Sequence, residues 1–253
     1  MLHRFGVFDR VAHPVLDPFR RRARHVFRTL GITMTIITII GTDGAGKSAL
    51  SKSLAGRLDA LGVSVTCLDK WDIFDRARHP ECRFIEGGRP LMRKCIAEMD
   101  SKSRAMFIFW SIGVSMGKHD FSDPREVVLL DGYWMKHAAV EALAGLDEAW
   151  IAATAALLPP SDVTLFLDVD PAVAYDRKAA TGDFVPYEFG FAPDMTKDSF
   201  IRHQSAVRAQ LSKWTRQNGW SIIDANRPAA TVLADAEAAL ARQLPVARLV
   251  ERV

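Results

Sequence analysis

The run Gly41-Thr42-Asp43-Gly44-Ala45-Gly46-Lys47-Ser48 carries the strongest chemical signal in the chain. It meets the spacing G-x-x-x-x-G-K-[ST] in full, the pattern of a loop that wraps a chain of phosphates. Its glycines let backbone N–H groups turn inward onto phosphate oxygens. A helix starting at the end of the loop adds partial positive charge. The Lys47 ammonium reaches the terminal phosphates, and the Ser48 hydroxyl is an oxygen donor for magnesium. Asp43, Gly44, Ala45, Gly46, Lys47, Ser48 and Ala49 are therefore candidate contacts for ATP, with Ser48 a candidate Mg2+ ligand.

Further along, Asp131 closes the apolar run Val127–Asp131. An acid at a strand end suits a second magnesium contact, direct or through water, and it also suits a turn or helix cap. Asp69 follows the run Val63–Leu68 and is a candidate base for an acceptor hydroxyl, or simply a turn acid. Phe107, Phe109 and Trp110 could stack on a flat ring, or form the core face of a long helix. Tyr133, Trp134 and Lys136 lie just past Asp131 and are expected to face the same crevice or pack beneath it. Glu188 reads as an acceptor contact or a solvated loop acid. His119 and His137 have no partners at metal-ligand spacing.

The elements that must position these groups alternate. Strands are expected at Met34–Ile40, Val63–Leu68, Val127–Asp131, Val163–Val169 and Trp220–Asp224. Helices are expected over about 47–61, 91–117, 135–158, from Pro171 onward, 197–218 and from Pro228 onward. Residues 72–90 read as a polar loop, and 182–195, rich in glycine, proline and aromatics, as a lid-like loop. Such alternation predicts an α/β fold with a parallel sheet covered on both faces. Sites then lie at the carboxyl ends of the strands, where Lys47, Asp69, Asp131 and Asp170 would gather.

The 253 residues suffice for one domain of this kind. No run of 18 apolar residues marks a membrane span, and a net charge of +3 does not by itself point to nucleic acid. Cys67, Cys82 and Cys95 follow no CxxC pattern, which suggests a reduced, cytoplasmic protein, with Cys67 a small core residue. Residues 1–33 hold seven arginines against two aspartates and form a basic extension ahead of the domain at 34–253. Helical spacing of Phe19, Val26, Phe27 and Leu30 suggests an amphipathic helix packed on the domain or a second subunit; a membrane-surface or nucleic-acid arm is the alternative. The acids within the arm disfavour a transit peptide, and no apolar h-region marks a secretory signal.

From about residue 34 to 243 the chain resembles the thymidylate kinases, a P-loop nucleotide kinase family. The likeness rests on the loop G-T-D-G-A-G-K-S, on Asp131-Gly132-Tyr133 where the family has Asp-Arg-Tyr, and on Ser161 through Pro171 with Arg177 following. Tyr187-Glu188, Gly190 and the run Ile223–Pro228 are also similar. The resemblance implies a five-stranded parallel sheet, ATP and Mg2+, a lid at about 178–196, a small-molecule phosphoryl acceptor and often a homodimer. It implies that Arg177 packs on the adenine, with Ala225–Pro228, including Arg227, bordering the other side. Asp69, Trp71, Phe107, Trp110, Tyr133, Lys136 and Glu188 would then serve the acceptor.

Acceptor-side arginines that the family carries are missing here: Gly132 replaces one, Leu68-Asp69-Lys70-Trp71 another, and Phe107 through Ile112 contain none. Lys70, Lys136 or Arg104, or Arg202 or Arg208 from the helix after the lid, are the replacements within reach of the sequence argument. Lys70-Trp71 after Asp69 is also similar to deoxynucleoside kinases, which keeps a hydroxyl acceptor open. A degenerate ATP-binding regulator is the third reading.

Overall fold

The computed structural model describes residues 34–192 and 194–244. The expected amphipathic helix in residues 1–33 lies outside them. Five strands, β1 (Thr35–Gly41), β2 (Ser64–Leu68), β3 (Glu126–Asp131), β4 (Val163–Asp168) and β5 (Ser221–Asp224), form one sheet in the order β2-β3-β1-β4-β5. All four pairings are parallel. β1 is central because its β-branched run can be buried on both faces. Ile36 and Ile40 point into one core with Val128, Leu130 and Phe166. Ile37 and Ile39 point into the other with Leu129, Leu165 and Leu167. The two-residue period of a strand thus splits one run between two cores.

Eight α-helices cover the sheet among the described residues: α1 (Lys47–Asp59), α2 (Arg89–Glu98), α3 (Ser101–Gly117), α4 (Met135–Leu143), α5 (Glu148–Ala155), α6 (Pro171–Ala179), α7 (Lys197–Asn218) and α8 (Ala229–Gln243). Two long helices expected from periodicity are each divided. The 91–117 pattern breaks at Met99-Asp100, where the Asp100 carboxylate accepts from the Lys102 and Ser103 N–H groups and starts a new helix. The 135–158 pattern breaks around Gly145, and Asp147 caps α5 through the Ala149 N–H. Apolar spacing continues across both breaks because both pieces pack on the same core. The 72–90 stretch is not a plain loop: one-turn 3-10 helices occupy Lys70–Phe74 and Pro80–Phe84. A third, Pro186–Phe189, lies in the segment expected to be irregular. Cys67 is exposed on the edge strand β2 rather than in the core, because the alternation turns it outward.

Candidate active site

The loop between β1 and α1 folds as its residue types require. Gly44 sits at φ +79°, and a Cβ there would lie 2.5 Å from the Ala174 carbonyl oxygen on α6, so only glycine fits. α1 begins directly after the loop, and no side chain caps it and no acid sits in its first turn. Its leading N–H groups and dipole are therefore left to an anion. The Lys47 ammonium curls back to donate to the Thr42 carbonyl at 2.8 Å. Burial lowers the Lys47 pKa against the pull of Asp43.

A cleft of about 410 Å³ opens over this loop at the carboxyl ends of the strands. One wall is Asp43, Gly44, Gly46, Lys47, Ser48 and Ala49, joined by Asp131 and Gly132 at the end of β3. The other wall comes from four separate segments: Asp69-Lys70-Trp71 after β2, Arg89 and Arg93 on α2, Lys136 and His137 on α4, and Lys178 with Asp183, Tyr187 and Glu188. A second cleft of about 320 Å³ continues past Gly46 and Ala49 and is bordered by Arg177, Ala225, Arg227 and Pro228. There the Arg177 guanidinium donates to the Ala225 carbonyl at 2.9 Å, which fixes its plane at the cleft wall. Arg227 pairs with Asp235 at 3.0 Å on the exposed rim.

Six cations and five carboxylates line the main cleft, and most are already paired. Lys136 meets Asp43 at 2.8 Å. Burial pushes the Asp43 carboxyl up, but Lys136 and Lys47 override it and hold the group well below its ordinary range. Glu188 is buried rather than a solvated loop acid, and meets Lys178 at 3.0 Å and Arg93 at 3.6 Å. Its pKa is raised by burial and by Asp43. Arg93 also reaches Asp183 at 3.1 Å, so α2 is tied to the 180–190 segment twice. Arg89 lies over the Trp71 ring at 5.5 Å, and Lys70 at 5.0 Å. Burial lowers the pKa of Lys70. His137 also lines the cleft, and its Nδ1 lies 3.3 Å from the Tyr187 hydroxyl. Burial, then Lys70 and Lys136, keeps the His137 pKa far below the usual value.

Several sequence candidates are placed elsewhere. Tyr133 is a core residue whose hydroxyl donates to the Pro159 carbonyl at 2.9 Å, and it does not line the main cleft. Phe107 and Trp110 meet at a tilt with ring centroids 5.7 Å apart, Trp110 meets Phe84 at 5.8 Å, and neither Phe107 nor Trp110 lines the cleft. Ile108 is the α3 residue that lines it, since successive helix residues point about 100° apart. Asp170 caps α6 through the Ala172 N–H and stands outside the cleft. Asp69 lines the cleft but accepts from the Trp71 N–H at 3.4 Å, capping a 3-10 turn. Arg104 is committed to a buried two-pronged pair with Glu141 at 2.6 and 2.8 Å, and Arg208 to Asp168 at 2.5 and 2.9 Å. Neither supplies charge to the cleft. His119 pairs with Glu126 at 3.2 Å.

Arg89 and Arg93 are the groups that sequence reasoning missed. Their signal was present: Gly88-Arg89-Pro90 is a helix start with proline in the first turn, and it sets the two arginines four residues apart on one face. Starting the helix at Leu91 hid that spacing. For magnesium, Ser48 and Asp131 both line the cleft, a hydroxyl and a carboxylate. Two protein oxygens fit a cation that keeps its waters and takes phosphate oxygens, and among the described residues no cluster of three or more metal-ligating side chains forms a protein cage.

No family model matches the chain. Individual proteins do. It is 29% identical over 209 residues to a thymidylate kinase of Xanthomonas euvesicatoria pv. vesicatoria, covering 83% of this chain and 84% of that one. It is 29% identical over 228 residues to a probable thymidylate kinase of Pyrobaculum aerophilum, covering 87% and 98%. A probable thymidylate kinase of Sulfurisphaera tokodaii is 27% identical over 189 residues, covering 75% and 86%. The sheet order and the phosphate loop are those of a P-loop kinase fold, and the proteins that the chain is similar to are thymidylate kinases.

Proposed function

We propose that the protein transfers the γ-phosphoryl group of ATP to the phosphate of a nucleoside monophosphate, thymidylate being the acceptor that the relatives' names suggest. The observation that carries this reading is the charge of the far wall. Lys70, Arg89, Arg93 and Lys136 line one cleft with the phosphate loop, Lys136 in contact with its Asp43. Guanidinium forks match phosphate oxygens, and a neutral alcohol would need none of them. The apparent loss of arginines is thus offset from α2 and α4.

ATP would lie with its phosphates on the α1 N-terminus and its base in the adjoining cleft between Arg177 and Ala225–Pro228. Magnesium, held by Ser48 and Asp131 with phosphate oxygens, supplies charge neutralisation when bound. Lys47 steadies the terminal phosphates. In the transfer the bond from the γ-phosphorus to the ADP oxygen breaks as a bond to an acceptor phosphate oxygen forms. An ionised phosphate has no proton to lose, so the step calls for positioning and charge more than for a base. The segment at 178–196, tied to α2 through Arg93, would act as a lid excluding water. By resemblance we also propose a homodimer, and a cytoplasmic protein given its free cysteines.

The test is ADP release with magnesium-ATP against the nucleoside monophosphates, then nucleosides. Turnover with a monophosphate supports the reading. Turnover with nucleosides alone would move the base role back to Asp69, and tight ATP binding without any turnover would favour a regulator.

A further inference from the structure

Lys136 stands where a lysine is costly. It is the second residue of α4, at the positive end of the helix dipole, with its side chain only 6% exposed. Lys47 and Lys70 lie near enough to repel it electrostatically. Its compensation is the Asp43 carboxylate at 2.8 Å and the face of the Tyr187 ring at 4.5 Å. A buried ammonium gathered with two others is hard to explain as a stabilising device, since buried ion pairs often add little net stability. It is readily explained as a site awaiting an anion.

Asp43 is also held without it. The Asp43 N–H donates to Gln204 Oε1 at 3.1 Å, and Gln204 Nε2 donates back to Asp43 Oδ2 at 3.2 Å. Gln204 is fully buried on α7 and is itself anchored by donating to the Glu188 carbonyl at 2.8 Å. Asp43 therefore keeps its place when Lys136 leaves. The other cleft cations differ in this respect. Arg93 and Lys178 face carboxylates of the 180–190 segment, and Lys70 sits beside Asp69 at 3.7 Å. Of these, Lys136 is paired to the phosphate loop itself. Gly132, which carries no side chain, leaves the space between β3 and α4 to Lys47, whose Cε lies 3.4 Å from where a Cβ would stand.

We propose that Lys136 is the cation that bridges the transferred phosphoryl group and the acceptor phosphate, exchanging Asp43 for them when both substrates are bound. The inference rests on the monophosphate-acceptor reading and deepens it. Lys136 would be a catalytic residue that touches the reacting oxygens and neutralises charge as the phosphorus moves between them. It transfers no proton, and phosphate oxygens replace the carboxylate as its partners.

The experiment compares Lys136→Met, Lys136→Arg and the charge-neutral pair Asp43→Asn/Lys136→Met in the full chain. Steady-state turnover is measured with ATP and thymidine monophosphate. Binding is measured separately with the β,γ-imido analogue of ATP and with adenosine joined to thymidine through five phosphates. The expected result for Lys136→Met is a loss of about 100-fold in kcat and in affinity for the joined probe, with the imido analogue held within about threefold. Lys136→Arg should recover about tenfold of that loss. The double variant should remain as impaired as Lys136→Met, and it covers the case in which an unpaired Asp43 unfolds the single variant. Restored turnover in the double variant would overturn the inference, because Lys136 would then only neutralise Asp43. Unchanged behaviour of Lys136→Met would overturn it too, while leaving wild-type monophosphate turnover and its reading intact. A wild-type protein that turns over no monophosphate and binds the joined probe no better than the imido analogue refutes the acceptor reading, and the inference with it.

Discussion

The two walls of the cleft are built by different means. The phosphate loop is eight consecutive residues, and its ligand groups are mainly backbone N–H groups set by glycines and the start of α1. The facing wall is side chains from four segments spread over residues 69–188, each already paired with a carboxylate or a ring. The first wall depends on its backbone, and its working side chains are few: Asp43, Lys47 and Ser48, joined by Asp131 from β3. The second can move its charges from one element to another and keep its sign, as Arg89, Arg93 and Lys136 do where Gly132 brings none. Donor recognition is therefore expected to be all-or-none under mutation, and acceptor recognition graded.

Lys47→Ala tests the donor wall at the side chain expected to hold the terminal phosphates. Turnover should fall by about a thousandfold or more, with the fold retained by circular dichroism. A loss under tenfold would mean that the loop is no longer a transfer site. Beneath the acceptor wall, Arg104→Leu should cost about 4 kcal/mol in urea denaturation, because it strands Glu141 without its buried partner. Replacing both with apolar residues should recover most of that. If the single change is nearly neutral, the pair is not what holds α3 to α4.

On the graded wall, Arg93→Ala should raise the acceptor KM by about 30-fold and leave the affinity for ATP within about threefold. Equal losses for both substrates would break the division between the walls.

His203 gives a pH-dependent check from α7. Burial, then Lys136, lowers its pKa to about 4, below the ordinary 6.5. Between those values the unfolded chain binds a proton that the folded chain refuses. The His203 contribution to stability is therefore intact above pH 6.5 and is lost as pH falls toward 4, by about 3 kcal/mol. His203→Gln should flatten that part of the stability curve, and an unchanged slope would assign it to other groups.

The smallest effect is expected for Asp69→Asn. Its carboxylate caps a one-turn helix, and turnover with a monophosphate should change by less than about fivefold. Near-complete loss would restore Asp69 as a base and the acceptor as an alcohol.

Much of the scaffold was legible in the chain. The β-branched run before Gly41 announced a strand buried on both faces, and Gly46-Lys47-Ser48 marked the helix start to the residue. Local rules sufficed there because strand period and helix capping act between neighbours in sequence. The two divided helices were less legible. Asp100 and Asp147 each carry a cap signal, but the apolar period runs on across them and conceals the break. Tyr133 and Trp110 show the limit for the site. An aromatic near a strand end or on a helix can face either core or cleft, and one rotation of the helix decides which.

The sequence by itself determined the phosphate loop through contiguous spacing and the parallel sheet through alternating strands and helices, and it carried the family resemblance in residues matched along the chain. Only the tertiary structure decided which charges line the cleft with the phosphate loop. Arg104 and Arg208 are withdrawn into pairs with Glu141 and Asp168, while Arg89, Arg93 and Lys136 are brought to the cleft. The physical reason is that an ion pair is a short-range bargain between groups up to tens of residues apart. Whether a cation is spent inside the protein or left facing a ligand depends on which carboxylate the packing places beside it.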